Sequence, residues 1–317
     1  MSKVLAVNRR NFAASIPGAS VMLIVLTIVF AFVSPDFATR SNLTNILAQS
    51  TILLVVALPM TLVILTEGLD LSVGAVASLA SMVIASVAVV TGSLSAAIGA
   101  GLLVGLGFGL ANGGLIAVLG IPPFVATLGT LGAAQGLALV ISDGQSVTGF
   151  GSDLSDLYYG SIGPLALPII YSVLLYLAFH WLLDRSRFGV AVRALGGNRQ
   201  ALALSGRSVR LPLIAVYGLS SVMAGFTALL MTSRMNAGHP TAGLGLEFDA
   251  IAAVALGGTS FERGHGWLAG TLLGVLTISI LRNGITLLSI PAAAQVTSVG
   301  LMVIIAMIID RHGRGVQ

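Results

Sequence analysis

The sequence predicts an all-α polytopic membrane protein with about ten transmembrane segments, and three observations carry that prediction. Of 317 residues, 56% are hydrophobic and only 8% are charged, whereas soluble domains run near ~25% charged. The apolar runs are continuous and about as long as a bilayer-crossing helix, not short and alternating as in a β-barrel. Glycine is abundant, at 39 residues, and small residues let transmembrane helices pack closely.

The first apolar run, 15–34, follows Lys3, Arg9 and Arg10. It is long for a signal peptide and no small-x-small cleavage site follows, so it reads as a retained first helix. Further runs fall at 47–66, 71–91, 94–119, 123–141, 162–183, 211–233, 246–259, 265–288 and 292–309. The eighth is short and carries Glu247 and Asp249, which suggests a broken or re-entrant segment. One membrane domain, 15–309, thus lies between short tails at 1–14 and 310–317. Ile121-Pro122-Pro123-Phe124 ends one span sharply before the next, because proline cannot continue a helix ladder.

Charge sets the orientation. The stretch Asp184–Arg210 holds Arg185, Arg187, Arg193, Arg199, Arg207 and Arg210 against one acid, Asp184. Such an island cannot sit in lipid. The positive-inside rule places it in the cytoplasm with both termini. The segment 142–161 then falls outside, and it contains Asp143, Asp153 and Asp156 but no Lys or Arg. Arg40, Arg234 and Arg282 are the minority near the outer side. The net charge of +4 is therefore a topology signal and not a nucleic-acid footprint. Within the island, Gly196-Gly197-Asn198 reads as a turn, followed by a short helix from Arg199 to Ser205 that Gly206 ends. This makes a projecting cytoplasmic knob; a loop held by anionic lipid headgroups fits the same charges.

An internal repeat is also visible. GLDLSVGAVASL (Gly68–Leu79) resembles GLEFDAIAAVAL (Gly245–Leu256), and AGLLVG (Ala100–Gly105) resembles AGTLLG (Ala269–Gly274). The copies lie five spans apart, so the halves would be inverted.

No catalytic set stands out. There is no P-loop, HExxH or GxSxG. Without cysteine, disulfides and thiolate chemistry are excluded. His180, His239, His265 and His312 show no metal-ligand spacing. The polar residues at membrane depth are the functional candidates. Glu67 and Asp70 lie between the second and third spans, as a gate or as a polar junction in which Asp70 and Ser72 cap the third helix. Glu247 and Asp249 open the short eighth span, as caps or facing the outer mouth of a pathway. Gln49, Asn112, Gln135, Asn283 and Gln295 need partners inside the bundle, a cavity or another subunit. The outer segment Gly238–Gly245 is a turn or a docking surface for an external partner.

Four stretches together resemble the ribose-type sugar permeases, the membrane subunits of bacterial ABC importers. They are EGLDLSVGAVASL (Glu67–Leu79), NGGLIAVLGIPPFVATLGTL (Asn112–Leu131), SRFGVAVRALGGNRQALALSG (Ser186–Gly206) and EFDAIAAVALGGTSFERGHGWLAGTLLG (Glu247–Gly274). The resemblance implies a multi-pass subunit of the bacterial inner membrane, paired with a second copy or a paralogue. It implies an ABC ATPase with two nucleotide-binding domains on the cytoplasmic side and a periplasmic sugar-binding protein outside. ATP and magnesium would bind the ATPase, with no cofactor on this chain and no enzyme activity in it. By the same resemblance Ser186–Gly206 is the segment that couples to the ATPase. Gly189, Arg193, Gly196, Asn198, Ala201, Ser205 and Gly206 match its positions, and Arg199 lies among them. The chain departs at Leu202, where alanine is usual, and in lacking an acid between Asn198 and Gly206. Permeases for branched-chain amino acids or nucleosides look distantly similar. An ion-coupled transporter would need an acid deep in a span, whereas the acids here fall near span ends in the sequence.

Overall fold

A computed structural model describes residues 18–261, 264–291, 293–295, 297–302 and 304. The tails 1–14 and 310–317, and with them Lys3, Arg9, Arg10, Arg311, His312 and Arg314, lie outside the described residues. The helices are α1 (Gly18–Val33), α2 (Arg40–Leu65), α3 (Val73–Thr91), α4 (Leu94–Ala117) and α5 (Pro123–Val140). A 3-10 turn (Ser152–Leu154), α6 (Asp156–Tyr159) and a two-residue hairpin, β1 (Ser161–Ile162) and β2 (Leu165–Ala166), precede α7 (Leu167–Asp184). Then come α8 (Arg187–Leu204), α9 (Arg210–Met235), α10 (Leu246–Leu256) and α11 (Leu268–Leu287).

Among the described residues the fold is all-α apart from that hairpin and one isolated bridge between Val147 and Gly238. Among the described residues, seven helices are long and apolar enough to cross a membrane: α2, α3, α4, α5, α7, α9 and α11. The first expected span is the 16-residue α1, and the eighth is the 11-residue α10. The tenth is described in part, as an apolar helical stretch within 293–302.

Local chemistry explains most boundaries. Thr39 and Ser93 accept hydrogen bonds from the Asn42 and Ala96 amides and start α2 and α4. Gly92 ends α3 at φ +61°. Pro123 occupies the first turn of α5, where its missing N–H costs nothing. The sixth span starts later than its apolar run. Residues 161–166 pair Ser161 with Ala166 and Ile162 with Leu165. Gly163 supplies the positive φ that a two-residue hairpin needs.

The centre of the bundle is α2, α3 and α9. Nearly all of α2 from Ser50 onward and α3 up to Ile84 is buried. By contrast α4, α5 and α7 expose apolar side chains such as Leu103, Val140 and Leu174, as lipid-facing helices do. α4 and α9 run antiparallel, backbone against backbone. Gly101, Gly105, Gly109 and Gly113 recur every fourth residue along α4. A Cβ at Gly105 would overlap the Ser221 carbonyl oxygen, one at Gly109 would come within 2.8 Å of the Gly218 Cα, and one at Gly113 within 2.7 Å of the Ile214 Cα. This is small-residue packing, in which the backbones themselves supply the contact.

Two irregular segments run inside the protein. Residues 66–72 join α2 to α3, with Glu67 at φ +60°, and Asp70, Ser72 and Val73 are fully buried. Residues 236–245 leave α9 and return along α3. Gly238 exchanges backbone hydrogen bonds with Val147 and sits against Ser81 and Ala85. The Gly243 amide donates to the Ser78 hydroxyl at 2.9 Å, and its Cα presses on the Gly74 carbonyl. The stretch Gly238–Gly245 is thus packed along α3 over much of its length, with His239, Thr241 and Leu244 left exposed. α10 is short because this return uses up the chain before the helix begins.

Replacing Gly105 with leucine forces apart α4 and α9. Overpacking of this kind costs about 1–3 kcal/mol. The purified protein should therefore melt several degrees lower, while Gly107→Ala, which meets nothing within 4 Å, leaves the melting temperature unchanged.

Candidate functional site

The knob expected between the sixth and seventh spans is α8. Ser186 starts it by accepting hydrogen bonds from the Phe188 and Gly189 amides at 3.1 and 3.2 Å. A side chain at Gly189 would overlap the Leu183 backbone, so α8 turns tightly off the end of α7. The expected turn at Gly196-Gly197-Asn198 is narrower than its composition suggests. Gly196 and Gly197 remain helical, and the break is at Asn198 alone, with φ −163° and ψ 95°. Asn198 Oδ1 accepts from the Ala201 amide at 2.8 Å and so caps the short second half. Ser205 donates to the Leu202 carbonyl, and Gly206 closes the helix at φ +75°.

The arginines divide into two kinds. Arg193 points inward, with Nη2 donating to Asp184 at 2.7 Å and Nη1 to the Gly266 carbonyl at 2.9 Å. Arg185, Arg187, Arg199, Arg207 and Arg210 are exposed. Gly196 lies on the carbonyl of Leu65, at the end of α2, and against Gly264 in the turn between α10 and α11. Leu202 is buried with Leu195, Ala117 and Leu213, anchoring the short half of α8 on α4 and α9. Around this anchor apolar side chains also face solvent. Leu204 is 89% exposed, with Leu211 at 71% and Val190 at 62%. A groove of about 340 Å³ runs between the halves of α8, past Ala194, Asn198 and Ala201.

The interior acids have partners of their own. Asp70 Oδ1 accepts from both the Ser72 amide, at 3.0 Å, and its hydroxyl, at 2.6 Å. Ser72 makes no side-chain cap on α3, because its hydroxyl is held by Asp70 and accepts from Asn112 Nδ2 at 2.9 Å. Asn112 Oδ1 in turn accepts from Thr130 at 2.7 Å. Asn112 is therefore a buried tie between α3, α4 and α5. Gln135 donates to the Pro240 carbonyl at 3.1 Å and ties α5 to the returning segment. Glu247 Oε1 accepts from the Gly245 amide, and its other oxygen lies against Gly74. Asp70 and Glu247, which fall near span ends in the sequence, are 0% and 3% exposed. The irregular segments carry them into the core. Glu67 is exposed at the end of α2.

Asp249, Asn283 and Arg282 meet at the opposite end of the bundle. Arg282 Nη2 bridges both Asp249 oxygens at 2.7 and 2.6 Å. Asn283 and Asn42 exchange side-chain amide hydrogen bonds at 2.8 and 3.0 Å. A cavity of about 460 Å³ opens beside them. Sequence reasoning singled out Asp249 and Asn283 but not their partners. Arg282 was visible only as an exception to the charge rule, and nothing local marks Asn42, which lies 241 residues from Asn283. Arg234, another exception, lies with its guanidinium 5.9 Å from the Tyr158 ring centre.

Comparison with known proteins places the chain in a family. Residues 42–309 match the family described as branched-chain amino acid transport system / permease component. The chain is 37% identical over 297 residues to the D-allose transport system permease protein AlsC of Escherichia coli (strain K12), covering 93% of this chain and 91% of that one. It is 38% identical over 291 residues to the ribose import permease protein RbsC of Bacillus subtilis (strain 168), covering 91% and 90%. The galactose/methyl galactoside import permease protein MglC of Escherichia coli (strain K12) is 32% identical over 326 residues, covering 96% and 97%. No solved structure matches the chain. With two sugar permeases 37% and 38% identical over nine-tenths of both partners, the chain belongs to the ribose-type sugar permease family of bacterial ABC importers.

Proposed function

We propose that this chain imports a monosaccharide, of pentose or hexose size, as the membrane subunit of an ATP-driven transporter in the bacterial inner membrane. The observation that carries this reading is its similarity, across nearly its whole length, to permeases named for ribose, allose and galactose. The matching family is described by branched-chain amino acids, but the relatives above are named for sugars, which favours a sugar over an amino acid.

Two permease subunits, alike or paralogous, form the pathway. An ATPase docks on the cytoplasmic side and carries the ATP and magnesium, and a periplasmic binding protein delivers the sugar. Both termini face the cytoplasm. The docking element is α8, with Gly189, Arg193, Gly196, Asn198, Arg199, Ala201, Ser205 and Gly206 as the coupling positions. Its exposed Arg187 and Arg199, with exposed Val190 and Leu204, offer a partner both charge and apolar surface. Its inner side bears on the ends of α2 and of the α10–α11 turn, so a push on α8 reaches two core elements directly. ATP binding at the partner then biases the bundle between outward- and inward-facing packings. The two irregular segments support an inverted repeat as the bistable framework. α3 and α10 start side by side, at Gly74 and Glu247, and lead to opposite ends of the bundle.

The chain has no cysteine, so single cysteines report the orientation cleanly. In intact cells a membrane-impermeant maleimide should label Asp153→Cys and not Arg199→Cys; the reverse pattern would invert the topology. Coupling is tested in vesicles holding the permease with its ATPase and binding protein. Arg199→Glu touches no internal partner, so it should lower sugar imported per ATP by about fivefold or more while the melting temperature holds. Arg193→Glu sets a carboxylate against Asp184 and the Gly266 carbonyl, and should lower both coupling and melting temperature. Wild-type coupling in Arg199→Glu contradicts the docking role.

A further inference from the structure

The cavity beside Asp249 is not used by the coupling argument, and its chemistry is specific. It lies where α10 begins, between the outer halves of α2, α9 and α11. About 460 Å³ in volume, it is the size of a small-molecule site, for which ~300–1,000 Å³ is usual. Its polar lining includes Gln49, Tyr159, Arg234, Asp249, Arg282 and Asn283. Asn283 is about 6 Å below the end of α11 at ~1.5 Å per residue, so the cavity reaches into the bundle from that end. The break before α10 creates it. Interrupted helices are where transporters of other classes hold their substrates, because unwound backbone is tolerated only beside a cavity.

The charges suit an uncharged ligand rich in hydroxyls. Arg282 and Asp249 neutralise each other, and Arg234 leaves the lining with one net positive charge, which opposes the ammonium of an amino acid. Arg234 lies beside the Tyr158 ring. Spare hydrogen-bonding capacity remains. Arg282 spends only Nη2 on Asp249, and its Nε is buried without a hydrogen-bond partner. A carboxylate accepts about four hydrogen bonds, and among the described residues only Nη2 of Arg282 reaches the Asp249 side chain. Gln49 donates to Asn45, one turn away on the same helix, so its side chain is free to turn toward a ligand. Tyr159 is 66% exposed and adds an aromatic face. Planar carboxylate, guanidinium and amide groups each bridge neighbouring hydroxyls, and an aromatic ring covers the C–H face of a sugar.

We propose that this cavity is a monosaccharide subsite within the permease, in which Asp249, Arg282, Gln49 and Asn283 read the hydroxyls. The permease then shares substrate selection with the external binding protein. This rests on the importer reading above.

The test uses the complete complex of permease, ATPase and binding protein in proteoliposomes. Radiolabelled D-ribose, D-allose and D-galactose are the probes, each against its deoxy analogues, and the best-imported sugar is carried forward. Gln49→Ala and Asp249→Asn should each lower import about tenfold at saturating binding protein. They should also shift the preference between sugar and deoxy analogue, with ATP hydrolysis still stimulated. A merely structural role does not move that preference. If Asp249→Asn fails to assemble, Gln49→Ala decides alone, since its side chain bonds only within its own helix. Import with wild-type rates and preferences in Gln49→Ala overturns the subsite and leaves the importer reading standing. No import of any of the three sugars by the wild type overturns both.

Discussion

Backbone-to-backbone contact at glycine is the constraint on which the rest of this structure depends. In lipid, apolar side chains gain little by leaving the solvent, so helices must be held by close packing. The glycine stripe of α4 lets α9 approach until main chains touch. The same device recurs where Gly243 meets Gly74, where Gly274 meets the Ala253 carbonyl and where Gly257 meets Gly270. Each contact leaves no space for a methyl group. Together they hold two irregular segments inside a membrane bundle, where an unpaired backbone would otherwise be costly.

The functional elements grow from those contacts. Because Gly243 can press on α3, the chain returns from α9 into the bundle and α10 starts late. That late start opens the cavity between α2, α9 and α11 and sets Asp249 opposite Arg282. Because Gly196 can lie on the Leu65 carbonyl, α8 bears directly on the end of α2. Arg193 then ties it to the turn before α11 through Gly266. α8 thus has a rigid seat on the bundle, with five arginines in and beside it left exposed.

Much of this was legible before any coordinates. Long apolar runs marked the spans, and the arginine island marked the exposed loop. Within it, Asn198 and Gly206 are residue types whose capping chemistry is local, so the break and the end of α8 could be read directly. Other features depend on partners far away in the chain. Leu202 looks like a departure from a pattern, yet it fills a pocket made by Ala117 and Leu213. Asp70 resembles a helix cap, but its carboxylate holds Ser72, whose hydroxyl is held in turn by Asn112 on another helix. The hairpin at 161–166 hid inside an apolar run, because two-residue strands leave no periodicity. Arg282 broke the charge rule for a reason that only the fold reveals: Asp249 is there to neutralise it.

In the proposed mechanism α8 is the surface through which an ATPase drives this permease. A photo-crosslinking amino acid at Arg199, introduced into the assembled transporter, tests it most directly. A covalent adduct with the ATPase is expected from position 199 and none from position 153 in the 3-10 turn. An adduct with the external binding protein from position 199, or with the ATPase from position 153, would contradict it.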